Sequence, residues 1–174
     1  MKRRSIKAMG IGLRLQELEG WRGQFARVAR WRQRVVTAAN GEPSAGEIDF
    51  LLAFFESAYH LRNWLVETGA VSNVEVDGYV ASHIELQLCR DIANGFKHHS
   101  LRRPSIDAEF AIVNQYVPPN KRARRYRLPN GEWTILANGT QFGLVDLSER
   151  VLLLWNQFLV QRNLDLHGTR PGGS

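Results

Sequence analysis

The chain has 174 residues, 44% of them hydrophobic and 23% charged, the proportions of an ordinary globular protein, which excludes a disordered or fibrous one. A single cysteine, Cys89, excludes an internal disulfide framework and a multi-cysteine zinc site, and points to a reducing, cytoplasmic setting. Lys plus Arg number 23 against 17 for Asp plus Glu, a net charge of +6 carried mostly by arginine, whose planar fork suits phosphate; nucleic acid is the first partner this suggests.

The amino end, MKRRSIKAMGIG, opens with a basic cluster, but no apolar stretch of signal-peptide length follows it. No segment reaches the ~18 uninterrupted apolar residues of a membrane span, so the chain is read as soluble, with no membrane partner. A single domain over residues 1–174 is expected, since a chain of this length buries enough apolar surface to fold unaided. It divides into a helical part over 21–100, a β-meander over 106–146, a final helix over 147–163 and a tail over 164–174.

The first helix is expected from Trp21 to Ala39, with Leu18, Trp21, Phe25, Val28, Trp31 and Val35 recurring at spacings of three and four. Arg22, Arg27, Arg30, Arg32 and Arg34 fill its other faces as a basic outer surface. Gly41 and Pro43 stop it, and Ser44 with Glu47 forms a capping box for a second helix that runs to Gly69. The inward stripe of that helix reads Ile48, Leu52, Phe55, Tyr59, Arg62, Val66, which places an arginine among apolar positions.

Ser72 with Glu75, and Ser82 with Glu85, allow either one long third helix or a short helix followed by a long one. From Ile84 the segment is apolar on several faces through Leu86, Leu88, Cys89, Ile92 and Ala93, as a central helix would be, and it ends between Gly95 and His99. Beyond Pro104 the period becomes two: Phe110, Ile112, Asn114 and Tyr116 alternate, then Tyr126 and Leu128, and Trp133 and Ile135, on either side of Pro129, Asn130 and Gly131. With a second turn at Asn138 and Gly139 this predicts three or four antiparallel strands. Asp146 with Glu149 opens the last helix, whose inner face carries Leu147, Val151, Leu154, Trp155 and Phe158. The predicted class is therefore α+β, mainly α: four main helices, with the meander inserted before the last.

The chemistry concentrates in the two middle helices. At 100° per residue, Arg90, Asn94 and Lys97 share one stripe, and Tyr59, Arg62 and Asn63 form a second cluster on or beside the core stripe. If Val71 to Ser82 is a separate turn of chain, the two clusters can come to one level. An arginine with an amide and a histidine holds a phosphate and moves a proton, the needs of metal-free RNA cleavage through the ribose 2′-hydroxyl. The same groups also serve as a polar seam, with Asp91 paired to Arg62 or Arg90, that fixes helix register without chemistry.

FFESAYHLRNWL (Phe54 to Leu65) and LCRDIANGFKHHSL (Leu88 to Leu101) resemble a signature of small bacterial proteins whose usual forms are close to YHLRDW and CxDIANxxKH. Such proteins are similar to the HEPN superfamily, helical proteins that often dimerise and include metal-independent RNases of toxin and defence systems. The resemblance covers about a third of the chain and implies a four-helix HEPN-like bundle, a homodimer, no cofactor and no metal. It implies Arg90 as the phosphate-contacting arginine, Asp91 as the polar residue after it and His98 as the catalytic base. Tyr59, Arg62, Asn63, Asp91, Asn94 and Lys97 then line the substrate site. Two departures stand out: Asn63 replaces the usual aspartate, and seven residues rather than four to six separate Arg90 from His98.

Elsewhere, His60, His83 and His167 are scattered without ligand spacing, and Cys89 sits among apolar positions as an inert small hydrophobe does. KRARRYR sets Lys121, Arg122, Arg124, Arg125 and Arg127 around Tyr126, the mixture of charge and stacking ring that binds single-stranded nucleic acid, and equally the charge of a protected edge strand. Two functions follow: a HEPN-like RNase or RNA-binding relative, and a non-enzymatic homodimeric interaction module locked by a polar seam.

Overall fold

The computed structural model describes residues 11–40, 46–98, 111–115, 132–137 and 139–164. Within them the chain is mainly helical with a small antiparallel sheet. The elements are α1 (Ile11–Asn40), α2 (Glu47–Glu67), α3 (Asn73–Ala81), α4 (Ile84–His98), β1 (Ala111–Gln115), β2 (Glu132–Ala137), β3 (Thr140–Gly143) and α5 (Leu144–Gln161).

Gly20 breaks α1 with φ +52° and ψ −158°, so the continuous helix begins at Trp21. Its inner face carries Trp21, Gln24, Val28, Arg32, Val35 and Ala39, all buried. Arg32 therefore leaves the basic outer surface on which the sequence pattern placed it: it points inward and pairs with Glu149 of α5 at 3.5 Å. Arg22 and Arg34 stay outside, where each guanidinium lies over a tryptophan of its own helix, Trp21 and Trp31 respectively. Helices α1 and α2 run antiparallel, since Gln24 donates to the Ser57 carbonyl at 2.7 Å while Trp31, further along α1, meets Phe50 near the start of α2.

The inward stripe of α2 is Leu51, Phe54, Phe55, Ala58, Leu61 and Leu65. It is rotated by one position from the expected stripe, and Arg62 stands beside it rather than on it. The start differs as well. Glu47 is the first helical residue and Gly46 the N-cap, so Glu47 is not the third-position partner of a capping box; Ser44 lies outside the described residues. At the other end, Gly69 with φ +72° sends its N–H to the Val66 carbonyl, and Ala70 sends its own to Leu65, the reciprocal pair of a Schellman stop. A Cβ at Gly69 would meet nothing within 4 Å. Gly69→Ala is therefore expected to lose about 1–2 kcal/mol, from backbone conformation alone. Urea denaturation measures it, and a loss near zero would mean that the turn relaxes.

The connection between α2 and α4 is a helix of its own. Ser72 caps α3 in a complete capping box with Glu75, whereas Ser82 is its C-cap and not the start of another. The first bonds of α4 run back to the His83 carbonyl. Helix α3 lies antiparallel to α5: Glu75 pairs with Arg162 at 3.0 Å, and the Tyr79 hydroxyl donates to the Leu154 carbonyl at 2.9 Å.

In the sheet β1 pairs with β2 and β2 with β3, both antiparallel. Ala137 is opposite Thr140, so the second connection has two residues, and Gly139 takes φ +66° there. Ile135 and Ala137 are buried and β2 rests on α5. Strand β3 runs directly into α5 with Gly143 as N-cap, so Asp146 is the third helical residue and does not cap with Glu149. The core is centred on Phe54, Phe55, Leu88, Ile92, Trp155 and Phe158.

Candidate functional site

The polar groups gather where α2, α3 and α4 meet. Arg62, on the flank of α2, donates from Nε to Asp77 Oδ1 at 2.8 Å and from Nη2 to Asp77 Oδ2 at 2.7 Å. Nη2 also donates to Asn73 Oδ1 at 2.8 Å, and Nη1 to Asn63 Oδ1 at 3.1 Å. Asn73 and Asp77 are one turn apart on α3 and so offer their oxygens to the same guanidinium. Tyr59 is close enough on α2 to act on the Arg62 charge. The carboxylate for Arg62 is thus Asp77, and of the two partners that the sequence allowed for Asp91, Arg62 or Arg90, the one beside it is Arg90.

On α4, Asp91 is buried, with Arg90 Nε 3.9 Å from its Oδ1. Arg90 and Asn94 are half-buried beside it. Of Arg62, Asn63, Arg90, Asp91 and Asn94, only Asp91 is fully buried, because the others flank the apolar stripes instead of sitting on them. Helix α4 continues unbroken through Gly95 to His98. Arg90, Asn94 and Lys97 thus fall along one face of it, while His98 stands about 12 Å further along the axis than Arg90 and about 80° round from it. The side chains of Lys97 and His98 lie outside the described residues, as do Lys121, Arg122, Arg124, Arg125, Tyr126 and Arg127.

The charges of the seam are tuned by these contacts. The Arg62 guanidinium, through its hydrogen bond and charge, holds the Asp77 carboxyl below its ordinary value, and the charge of Arg90 adds to the effect. The same hydrogen bond to Asp77 raises Arg62. Glu75 is lowered by the hydrogen bonds from Ser72, first its backbone N–H and then its hydroxyl, with help from Arg162. Both carboxylates titrate lower in the folded chain than in the unfolded one. Their stabilisation is present above the ordinary values of 3.8 and 4.5 and is lost as pH falls through those values to the lower folded ones. Asp77 is exposed, so its share is about 0.2–1 kcal/mol. Asp77→Asn is expected to flatten the acid limb of stability between about pH 5 and pH 3, read from urea midpoints; a limb of unchanged slope would remove Asp77 from the seam's energetics.

Cys89 is buried and donates to the Phe55 carbonyl at 3.4 Å, and burial pushes its thiol well above the ordinary value. A thiol so placed is a poor nucleophile. His83 Nδ1 lies 2.8 Å from the Tyr79 carbonyl, with its ring against the Tyr79 ring, which joins α3 to α4. Among the described residues no group of three or more His, Cys, Asp or Glu is placed to hold a metal ion, and no helix is long and apolar enough to cross a membrane.

Asp77 and Asn73 are the members that sequence reasoning missed. Their signal was present: a helix capped by Ser72 and Glu75 begins at Asn73, and the spacing of four then puts Asn73 and Asp77 on one face. Compared with protein-family models, with curated proteins and with solved structures, the chain matches none.

Proposed function

We propose that the chain is a HEPN-like helical bundle, with a small meander ahead of its last helix, that binds RNA through the face of α4 bearing Arg90, Asn94 and Lys97. The observation that supports this reading is the unbroken run of α4 to His98, which puts the helix positions of Arg90, Asn94 and Lys97 on one face. Arg90 contacts phosphate, Asn94 and Lys97 follow the backbone, and Tyr59, Arg62, Asn63 and Asp91 border the site. Lys121 to Arg127 add charge and a stacking ring. The partner is cytoplasmic RNA.

Catalysis asks for more than binding. The helix positions of Arg90 and His98 are about two turns apart, which favours a nuclease site completed across a homodimer over one built within a single protomer. Binding without cleavage is therefore the favoured form. Fluorescence anisotropy with a single-stranded oligoribonucleotide in EDTA is expected to show Arg90→Ala binding about tenfold more weakly, with the salt slope shallower by about one. RNA should remain intact with wild type and His98→Ala alike. Cleavage lost in His98→Ala would instead assign the nuclease; equal affinity of Arg90→Ala and wild type would remove the α4 face as the binding site.

A non-enzymatic homodimeric module is the second reading. It is favoured by Leu153 and Val160, exposed seven residues apart on the outer face of α5. Leu153→Lys would then convert a dimer to a monomer in sedimentation and leave RNA affinity unchanged.

A further inference from the structure

We propose that Arg62 and Arg90 form a two-arginine subsite for an RNA phosphate which Asp77 fills in the RNA-free chain, so that a phosphate enters by displacing the Asp77 carboxylate. This rests on the RNA-binding reading and adds to it a competitor built into the fold.

The geometry at Arg62 is that of an occupied anion site. Asp77 presents two oxygens to Nε and Nη2 at 2.8 and 2.7 Å, the paired contact by which a guanidinium also takes two oxygens of a phosphate. The two partners differ in exposure. The Arg62 side chain retains 21% of its accessible surface, and Asp77 retains 57%. The cation is fixed in the seam, held also by Asn63 and Asn73, while the anion sits at the rim on a helix of nine residues. An exposed pair of this kind holds weakly, so a side-chain rotation frees the guanidinium at little cost.

Arg90, on α4, is near enough for its charge to act on the same carboxylate, while its Nε lies 3.9 Å from Asp91. Its charge, with that of Arg62, keeps Asp77 below the ordinary carboxylate range. Asp77 thus remains charged throughout the neutral range, and it competes with phosphate for the Arg62 guanidinium.

The test compares wild type, Asp77→Asn, Asp77→Asn with Arg62→Ala, and Arg90→Ala in binding a single-stranded oligoribonucleotide at low salt. Asp49→Asn is the control, because it makes the same charge change on the exposed first turn of α2. Asp77→Asn is expected to bind about threefold to tenfold tighter than wild type and to steepen the salt slope by about one. Adding Arg62→Ala should abolish that gain, and Asp49→Asn should not reproduce it. Affinity in Asp77→Asn equal to wild type or weaker, or matched by Asp49→Asn, overturns the inference, while loss of binding in Arg90→Ala leaves the RNA reading standing. No binding by any variant overturns both. A measurement on wild type covers the case in which Asp77→Asn fails to fold: the Arg62 Nε–H resonance should shift when RNA saturates the protein, and a resonance that stays in place overturns the displacement.

Discussion

Trp155→Ala should remove about 3–5 kcal/mol of folding stability, a large share of the ~5–15 kcal/mol that holds a typical domain together. Trp155 is among the largest fully buried side chains, one turn before Phe158, which it meets edge to face at 6.0 Å. Alanine there leaves a cavity where α5 closes against the rest of the core, and rigid helices collapse into it only in part. The indole has a second property. Its Nε1 is buried and meets no hydrogen-bond partner among the described residues, so the native state already carries the desolvation of an unsatisfied donor. Trp155→Phe removes that donor and keeps most of the apolar contact, and should lose far less than the alanine variant. Thermal and urea unfolding of the two variants measures the difference; equal losses would show that the N–H group is satisfied in solution.

Leu61→Ala should lose about 2–5 kcal/mol, whereas Arg62→Ala, its neighbour, should lose about 1 kcal/mol. The contrast follows from one step of helix rotation. Leu61 is wholly buried on the stripe that runs from Leu51 to Leu65, and Arg62 turns about 100° away from it toward Asp77. Losing Leu61 opens a cavity between α2 and its neighbours. Losing Arg62 exposes Asp77, Asn73 and Asn63 to water, which satisfies them. Chemical denaturation of both variants checks this, and a larger loss for Arg62→Ala would mean that the buried stripe passes through the arginine.

That one-step rotation also marks where sequence reasoning reached its limit. Helix α2 is apolar on more than one face: Ile48, Leu52 and Val66 are half-buried beside the fully buried Leu51, Phe54, Leu61 and Leu65, so spacing alone admits two stripes. The mainly helical class and the change to strands after the fourth helix were legible because the periods differ, 3.6 against two. Helix starts were less so. Among the described residues the pattern of Ser or Asp followed three residues later by Glu occurs at Ser72, Ser82 and Asp146, yet only Ser72 caps with it. A capping box needs extended backbone at its first residue; Ser72 has it, with ψ 158°, while Ser82 has helical geometry and closes the helix before it. Buried polar groups were the hardest to read. Gln24 and Arg32 lie on the inner face of α1, where each is accommodated by a partner on another helix, Ser57 and Glu149, that no local pattern announces.

The seam was half legible. Arg90, Asn94 and Lys97 fall on one face because α4 is continuous, as their spacing implied. Asp91 lies beside Arg90, one of the two partners its position allowed, whereas the pairing of Arg62 depended on a short helix whose direction relative to α2 is set by tertiary packing.

Photochemical cross-linking of the full chain to a single-stranded RNA carrying photoreactive uridines, followed by peptide mapping, tests the RNA-binding face most directly. The α4 peptide from Leu88 to His98 should carry the RNA adduct, and the adduct should fall sharply in Arg90→Ala. RNA attached only to peptides of α1 or α5, or an α4 adduct that persists undiminished in Arg90→Ala, would contradict the account.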